Sequence, residues 1–305
     1  MRSHRYPDNF SIRREDIGYI GHDLSRPECI LAEPGGTLWA SDDRGGVTRL
    51  DPSGEQRTIG SIAGTPNGIA LEPTGDLLVA DIGAGAIHRL ARNGEHHTLL
   101  DQIAGAPLGS ANFVYFDPRG VLWATVSTRT QPRSEAIKRP IPDGYVLRFD
   151  QGHPRVVATG LCFPNELRVD DGYRFAYVAE SARGRIVRMP LLADGTLGTP
   201  EPFGPAPLFD GAIVDGIAFD AAGGLWVTEV TRNGLYRMLP NGDCHCLFED
   251  PAGEVLLFPA SVTFAGPDLC TVLVGSIRAT RLATFRSPVP GARLAHWRDT
   301  PAAPA

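Results

Sequence analysis

Residues 36–54 read GTLWASDDRGGVTRLDPSG, residues 75–94 read GDLLVADIGAGAIHRLARNG, and residues 223–242 read GGLWVTEVTRNGLYRMLPNG. Each leaves a glycine turn, runs through a short apolar stretch that ends on an acid, turns again at glycine, runs once more and stops at a Ser-Gly or Asn-Gly turn. That alternation of short β-rich runs and glycine turns spells antiparallel strands joined by tight connections. The pattern returns at residues 120–128 continued by 144–152, at 173–195 and at 267–285, which makes six copies along the chain.

A further β-like run precedes each copy and carries one polar residue near its start: Glu28, Asn67, Asn112, Asn165, Asp215 and Ser261. The step from that residue to the aromatic or leucine of the following strand is 11 for Glu28 to Trp39, Asn67 to Leu78, Asn112 to Trp123 and Asp215 to Trp226, and 12 for Asn165 to Tyr177. Segments such as 56–62 and 154–160 supply a fourth run. Four antiparallel strands repeated every 40 to 50 residues predict an all-β, six-bladed β-propeller in one domain over residues 1–305. Two stacked β-sandwiches explain neither the six copies nor their common register. The sixth unit lacks a good fourth strand, and residues 11–20 belong to no copy, so the N-terminal segment is expected to complete blade six and close the ring. Residues 1–10 and 298–305 are expected to be loosely ordered tails.

The composition narrows the function. Hydrophobic residues make up 42% of the 305, which suits a globular protein with a sizeable core. A formal net charge of -6 excludes general binding to nucleic acid or anionic membranes. No apolar run reaches membrane-spanning length and the first ten residues are too polar for a secretory leader, so a cytoplasmic location and no membrane partner are expected. Lys138 is the sole lysine, a coding bias rather than chemistry. The five cysteines are scattered without a CxxC pair, and Cys244-His245-Cys246 reads as a strand, not a metal site.

In a propeller the first strand of every blade lines the central channel, so the six repeat-equivalent residues converge on the channel mouth. Two carboxylates, three amides and a hydroxyl are costly to bury together unless a positive charge sits among them. Such an oxygen set suits a hard cation, Ca²⁺ before Mn²⁺, Mg²⁺, Fe²⁺ or Zn²⁺. Capping of turns by Asn and Asp explains any one of these positions but not all six.

The early Pro27-Glu28, Asn112 with Asp117-Pro118 five residues on, the Pro164-Asn165 pair, and Asp215-Gly216-Ile217-Ala218 before Gly224-Leu225-Trp226 resemble the senescence-marker-protein, gluconolactonase and luciferin-regenerating-enzyme family. The resemblance implies a six-bladed fold with one divalent metal in the channel, held by Glu28, Asn165 and Asp215. It implies Asp215 as catalytic carboxylate and Asn112 as a ligand or substrate contact. The activity it implies is hydrolysis of a sugar lactone or related ester, with the cation polarising the carbonyl and Asp215 assisting attack by water. Recruitment of the same propeller to a phosphotriester or specialised metabolite, or to noncatalytic binding, is kept as the alternative.

Two departures bear on the substrate. Family members place an arginine where this chain has Ser110, and residues 126–144 form a long insertion in blade three that overhangs the mouth. Its Arg129, Arg133, Lys138 and Arg139, against Glu135 and Asp143, suit an anionic small molecule. Ser110, Asn67, Arg129 and Ser261 complete the expected substrate contacts. Asp42, Asp81, Glu180 and Glu229, at the ends of second strands, fit turn capping. The histidines fall in outer strands or turns and no GxSxG is present, so a His-based triad and a nucleophile elbow are disfavoured.

Overall fold

The computed structural model describes residues 6, 7 and 10–297. Six four-stranded antiparallel sheets follow one another around a ring, each ordered from the channel outward. The innermost strands are Ile30–Ala32, Pro66–Leu71, Ala111–Phe116, Pro164–Val169, Val214–Phe219 and Pro259–Ala265. The chain is a six-bladed β-propeller, as the repeat predicts. A small hairpin, Gln102–Ile103 with Ala106–Pro107, stands outside the blades. Among the described residues no helix is long and apolar enough to cross a membrane.

Closure takes place in blade six. Gly18–Ile20 pairs with Leu282–Arg286, Tyr19 opposite Ala283, and so supplies the fourth strand that the sixth copy lacks. The strand is shorter than the 11–20 expected, because Arg14–Asp16 forms a 3-10 turn and Ile12 donates its N–H to Leu247 O of blade five. The tails expected at 1–10 and 298–305 lie outside the described residues except for Tyr6, Pro7 and Phe10. Tyr6 is no loose tail residue: its ring meets Trp226 edge-on and Arg237 stacks on it 3.7 Å away.

Second strands such as Leu38–Asp42 and Leu225–Glu229 are buried along their whole length, because both faces pack against neighbouring blades. Fourth strands such as His96–Leu100 are mostly exposed. Trp39, Trp123 and Trp226 are fully buried and donate their indole N–H to Glu33, Asp117 and Asp220. Asp117 also accepts the N–H groups of Arg119 and Val121 and the Tyr173 hydroxyl. The Asp117-Pro118 element therefore ties a turn to a buried tryptophan and takes no part in the channel mouth.

Candidate active site

The inner strands deliver their mouth residues through a shared irregularity. One extra residue interrupts the ladder to the second strand between Pro66 and Ile69, Ala111 and Phe113, Pro164 and Leu167, Val214 and Ile217, and Pro259 and Ser261. A bulge of this kind re-aims side chains, and here it falls at each mouth residue in turn. In blade one the ladder begins only at Ile30, with Glu28 ahead of it. Gly68 and Gly216, which follow Asn67 and Asp215, permit the inner strands to crowd: a Cβ there would lie 2.5 Å from Phe113 Cα and 2.4 Å from Ser261 Cα. All six mouth residues are buried, none more than 5% exposed.

One half of the ring is satisfied internally. Arg26 donates to Asn67 Oδ1 (2.9 Å), Asn67 Nδ2 to Asn112 Oδ1 (3.0 Å), Asn112 Nδ2 to Ser127 Oγ (2.7 Å), and Ser127 Oγ to Pro164 O (3.0 Å). The other half is not. Asp215 Oδ1 and Ser261 Oγ are buried without a hydrogen-bond partner, and Glu28 Oε2 has only its ion pair with Arg26. Asn165 Nδ2 leans on Ser181 Oγ at 3.4 Å, leaving its carbonyl oxygen uncommitted. A buried acceptor without a donor costs roughly 1–3 kcal/mol, so these oxygens mark where a ligand belongs. Among the described residues no three His, Cys, Asp or Glu side chains are arranged to hold a metal. The donor set instead mixes Glu28 and Asp215 with the oxygens of Asn165 and Ser261, and its orphaned members fit a hard divalent cation.

The electrostatics agree with that placement. Burial, then the neighbouring Glu28 and Glu166 carboxylates, hold the Asp215 carboxyl well above the usual range, while Arg26 and Arg133 pull it back. Glu166, absent from the expected site, lies among these groups. Burial pushes it up to about 7 despite its 2.9 Å ion pair with Arg168 and the Ile217 N–H that it accepts. Its signal in the sequence is a charged residue inside the run PNELRV, directly after Asn165.

The insertion does overhang the mouth. It carries a short helix, Ser134–Lys138, and just before it Arg133, whose guanidinium lies 5.1 Å from the Phe163 ring centroid. Glu28, Arg26 and Asp215 are its charged neighbours. Arg129 instead stacks on Tyr145 of the third strand of blade three, 4.5 Å from the ring centroid. Ser110 is fully buried and donates to Ile82 O at 3.1 Å, so it joins blade three to blade two and presents nothing to the mouth. Arginine reaches the mouth from Arg26 and Arg133 instead.

Asp42, Asp81, Glu180 and Glu229 cap turns. Asp81 accepts the N–H groups of Thr65, Gly83 and Ala84, and Glu229 those of Ile213, Thr231 and Arg232. His296 departs from the expectation that every histidine lies in an outer strand or turn. It lies beneath the opposite end of the channel, its Nε2 2.9 Å from Ala32 O.

Residues 26–278 match the family described as the SMP-30/Gluconolactonase/LRE-like region. The chain belongs to that family. A 6-deoxy-6-sulfogluconolactonase from Pseudomonas putida is 28% identical over 247 residues, 80% of each chain. The propeller superposes on a regucalcin from Agrobacterium tumefaciens, described as a calcium-binding protein, with a TM-score of 0.73 at 19% identity, covering 91% of this chain and 96% of that one. A gluconolactonase from Xanthomonas campestris gives a TM-score of 0.69 at 19% identity, with 89% and 88% covered. The two solved structures share the fold; the family match includes Glu28, Asn165 and Asp215 within its span.

Proposed function

We propose that this member of the SMP-30/gluconolactonase family is a metal-dependent lactone hydrolase acting on a small molecule at the channel mouth, with Ca²⁺ as the preferred cation. The observation that carries the reading is the orphaned half of the ring: Asp215 Oδ1 and Ser261 Oγ are buried with nothing to bind, next to Glu28. The name of the Pseudomonas putida relative supports a lactone as substrate.

Glu28, Asn165 and Asp215 would hold the cation. When bound, it supplies the positive charge that keeps the two carboxylates ionised and polarises the carbonyl oxygen of the substrate. Asp215 accepts the proton of the attacking water as the carbon–oxygen bond forms. It returns that proton to the ring oxygen as the ester bond breaks, so that a hydroxy acid leaves and the carboxylate is restored. Asn67 and Asn112 are committed to their hydrogen-bond relay and fix the mouth's shape for the substrate. The buried Ser261 hydroxyl is free to bond a substrate oxygen.

Proton release from a panel of γ- and δ-lactones in weak buffer tests the proposal, before and after chelation and after restoration with Ca²⁺, Mn²⁺, Mg²⁺, Fe²⁺ or Zn²⁺. Activity that disappears with chelation and returns best with Ca²⁺ is the expected result. Cation-loaded protein that opens no lactone would overturn the hydrolase reading.

A further inference from the structure

Thr65, Phe163 and Phe258 each stand directly before the proline that opens an inner strand, and Arg26 stands before Pro27, three residues ahead of the inner strand of blade one. Three of them, Arg26 (φ 50°), Phe163 (φ 59°) and Phe258 (φ 47°), hold left-handed backbone that side-chain-bearing residues rarely adopt. Backbone strain of this sort collects where a site is being shaped. In blades four and six the phenylalanine is a platform for an arginine, Arg133 over Phe163 and Arg278 over Phe258. In blade one the position is itself an arginine, and Arg26 pairs with Glu28.

Arg133 differs from Arg278 in what surrounds it. Arg278 is exposed, whereas Arg133 Nε is buried without a hydrogen-bond partner and no ion pair holds it among the described residues. A planar, always charged group held over an aromatic ring, with a buried donor uncommitted, is preorganised for a planar anion. The charge count points the same way. Glu28 and Asp215 are balanced by Arg26 and Arg133, while Glu166 has its own partner in Arg168. A divalent cation in the ring leaves the mouth with surplus positive charge, which a neutral lactone does nothing to offset.

We propose that the mouth selects lactones bearing a second, anionic group, a carboxylate remote from the ring carbonyl, and that Arg133, with Arg26 beside it, is the residue that binds this group. The assignment rests on the lactone-hydrolase reading for the substrate's ring but not for the anion.

Two measurements separate the two. The first is calorimetric titration of the Ca²⁺-loaded protein with glutarate and with its half-amide, glutaramate, which has nearly the same shape and one charge fewer. The wild type should favour glutarate by about ten- to a hundredfold, the range of a charge-assisted hydrogen-bonded pair. Arg133→Gln should abolish the preference, Arg133→Lys should keep part of it, and Arg278→Gln should leave it intact. Arg133→Gln should also bind Ca²⁺ at least as tightly as the wild type, because it removes a like charge. Equal binding of both ligands by the wild type, no binding of either, or a preference that survives Arg133→Gln would show Arg133 to be a mere counterion for the ring and overturn the proposal. The second compares two γ-lactones that differ only in a terminal carboxylate or hydroxymethyl group. The charged-to-neutral ratio of kcat/KM should fall at least about tenfold in Arg133→Gln, mainly through KM. An Arg133-dependent glutarate preference in a protein that opens neither lactone would sink the hydrolase reading and leave the anion site standing.

Discussion

The same six inner strands finish in opposite ways at the two ends of the channel. At the mouth the chain leaves oxygens without partners and gathers like charges. At the far end residues 290–297 cross the floor and satisfy what they meet. Ala221 donates to Pro290 O, Ala292 to Phe219 O, and both His296 and Trp297 lie in hydrogen-bond reach of Ala32 O. Cavities of about 30 Å³ each remain beside Leu294, little more than a water molecule needs. One end is closed by internal hydrogen bonds, and the other keeps the unpartnered oxygens on which the proposed cation site rests. Substitutions at the two ends should therefore move stability and turnover in different proportions.

The largest expected effect is at the mouth. Asp215→Asn should lower turnover by about 10²–10⁴-fold, the range for loss of a general base. Without cation it should melt no lower than the wild type, since it removes a buried carboxylate that Glu28 and Glu166 repel. A thermal melt beside a lactone assay decides both, and a large fall in melting temperature would break the contrast. Trp297→Ala should do the reverse. Removing this side chain, 2% exposed, should cost roughly 3–5 kcal/mol in urea unfolding while turnover below the transition stays within about twofold.

Ca²⁺ sharpens the comparison from the ligand's side. At a hundredfold excess over its dissociation constant it should stabilise the wild type by about 2.7 kcal/mol. The gain should persist in Trp297→Ala and shrink in Glu28→Gln, as differential scanning calorimetry would show. The smallest effect belongs to the floor. Burial lowers the His296 pKa from its ordinary 6.5. Above that value both folded and unfolded chains carry a neutral imidazole, and nothing is lost. Below it the unfolded chain takes up the proton first, so stability falls with pH until the folded state also protonates. His296→Gln should flatten that fall when melts are compared across the acid range.

The repeat made the architecture legible because its spacing, the glycine turns and the buried second strands all follow from local pattern. The closing strand was legible only by subtraction, and its length was overestimated because a 3-10 turn and a bond to Leu247 depend on where blade five lies. The six converging residues could be read from register. Their division into a bonded and an orphaned half could not, since it turns on Ser127, Ser181 and Arg26, which lie outside the six converging positions. Glu166 and the bulge beside it were hidden for a related reason: a bulge is a property of two paired strands, whereas the sequence presents one at a time. Ser110 shows the converse, a position singled out by resemblance whose hydroxyl serves Ile82 O. The floor segment has no period to announce it, only the single Pro290-Gly291 step.

The extra residue that interrupts five inner strands has a consequence for how such a propeller can change over generations. Because the backbone device recurs in blade after blade, each position is a socket already aimed at the same point. Exchanging an amide for a carboxylate in one socket can shift the weight of the ligand set around the axis while the scaffold stays still. Lineages built on this frame are free to explore new chemistry one side chain at a time, without reinventing the geometry that brings the side chains together.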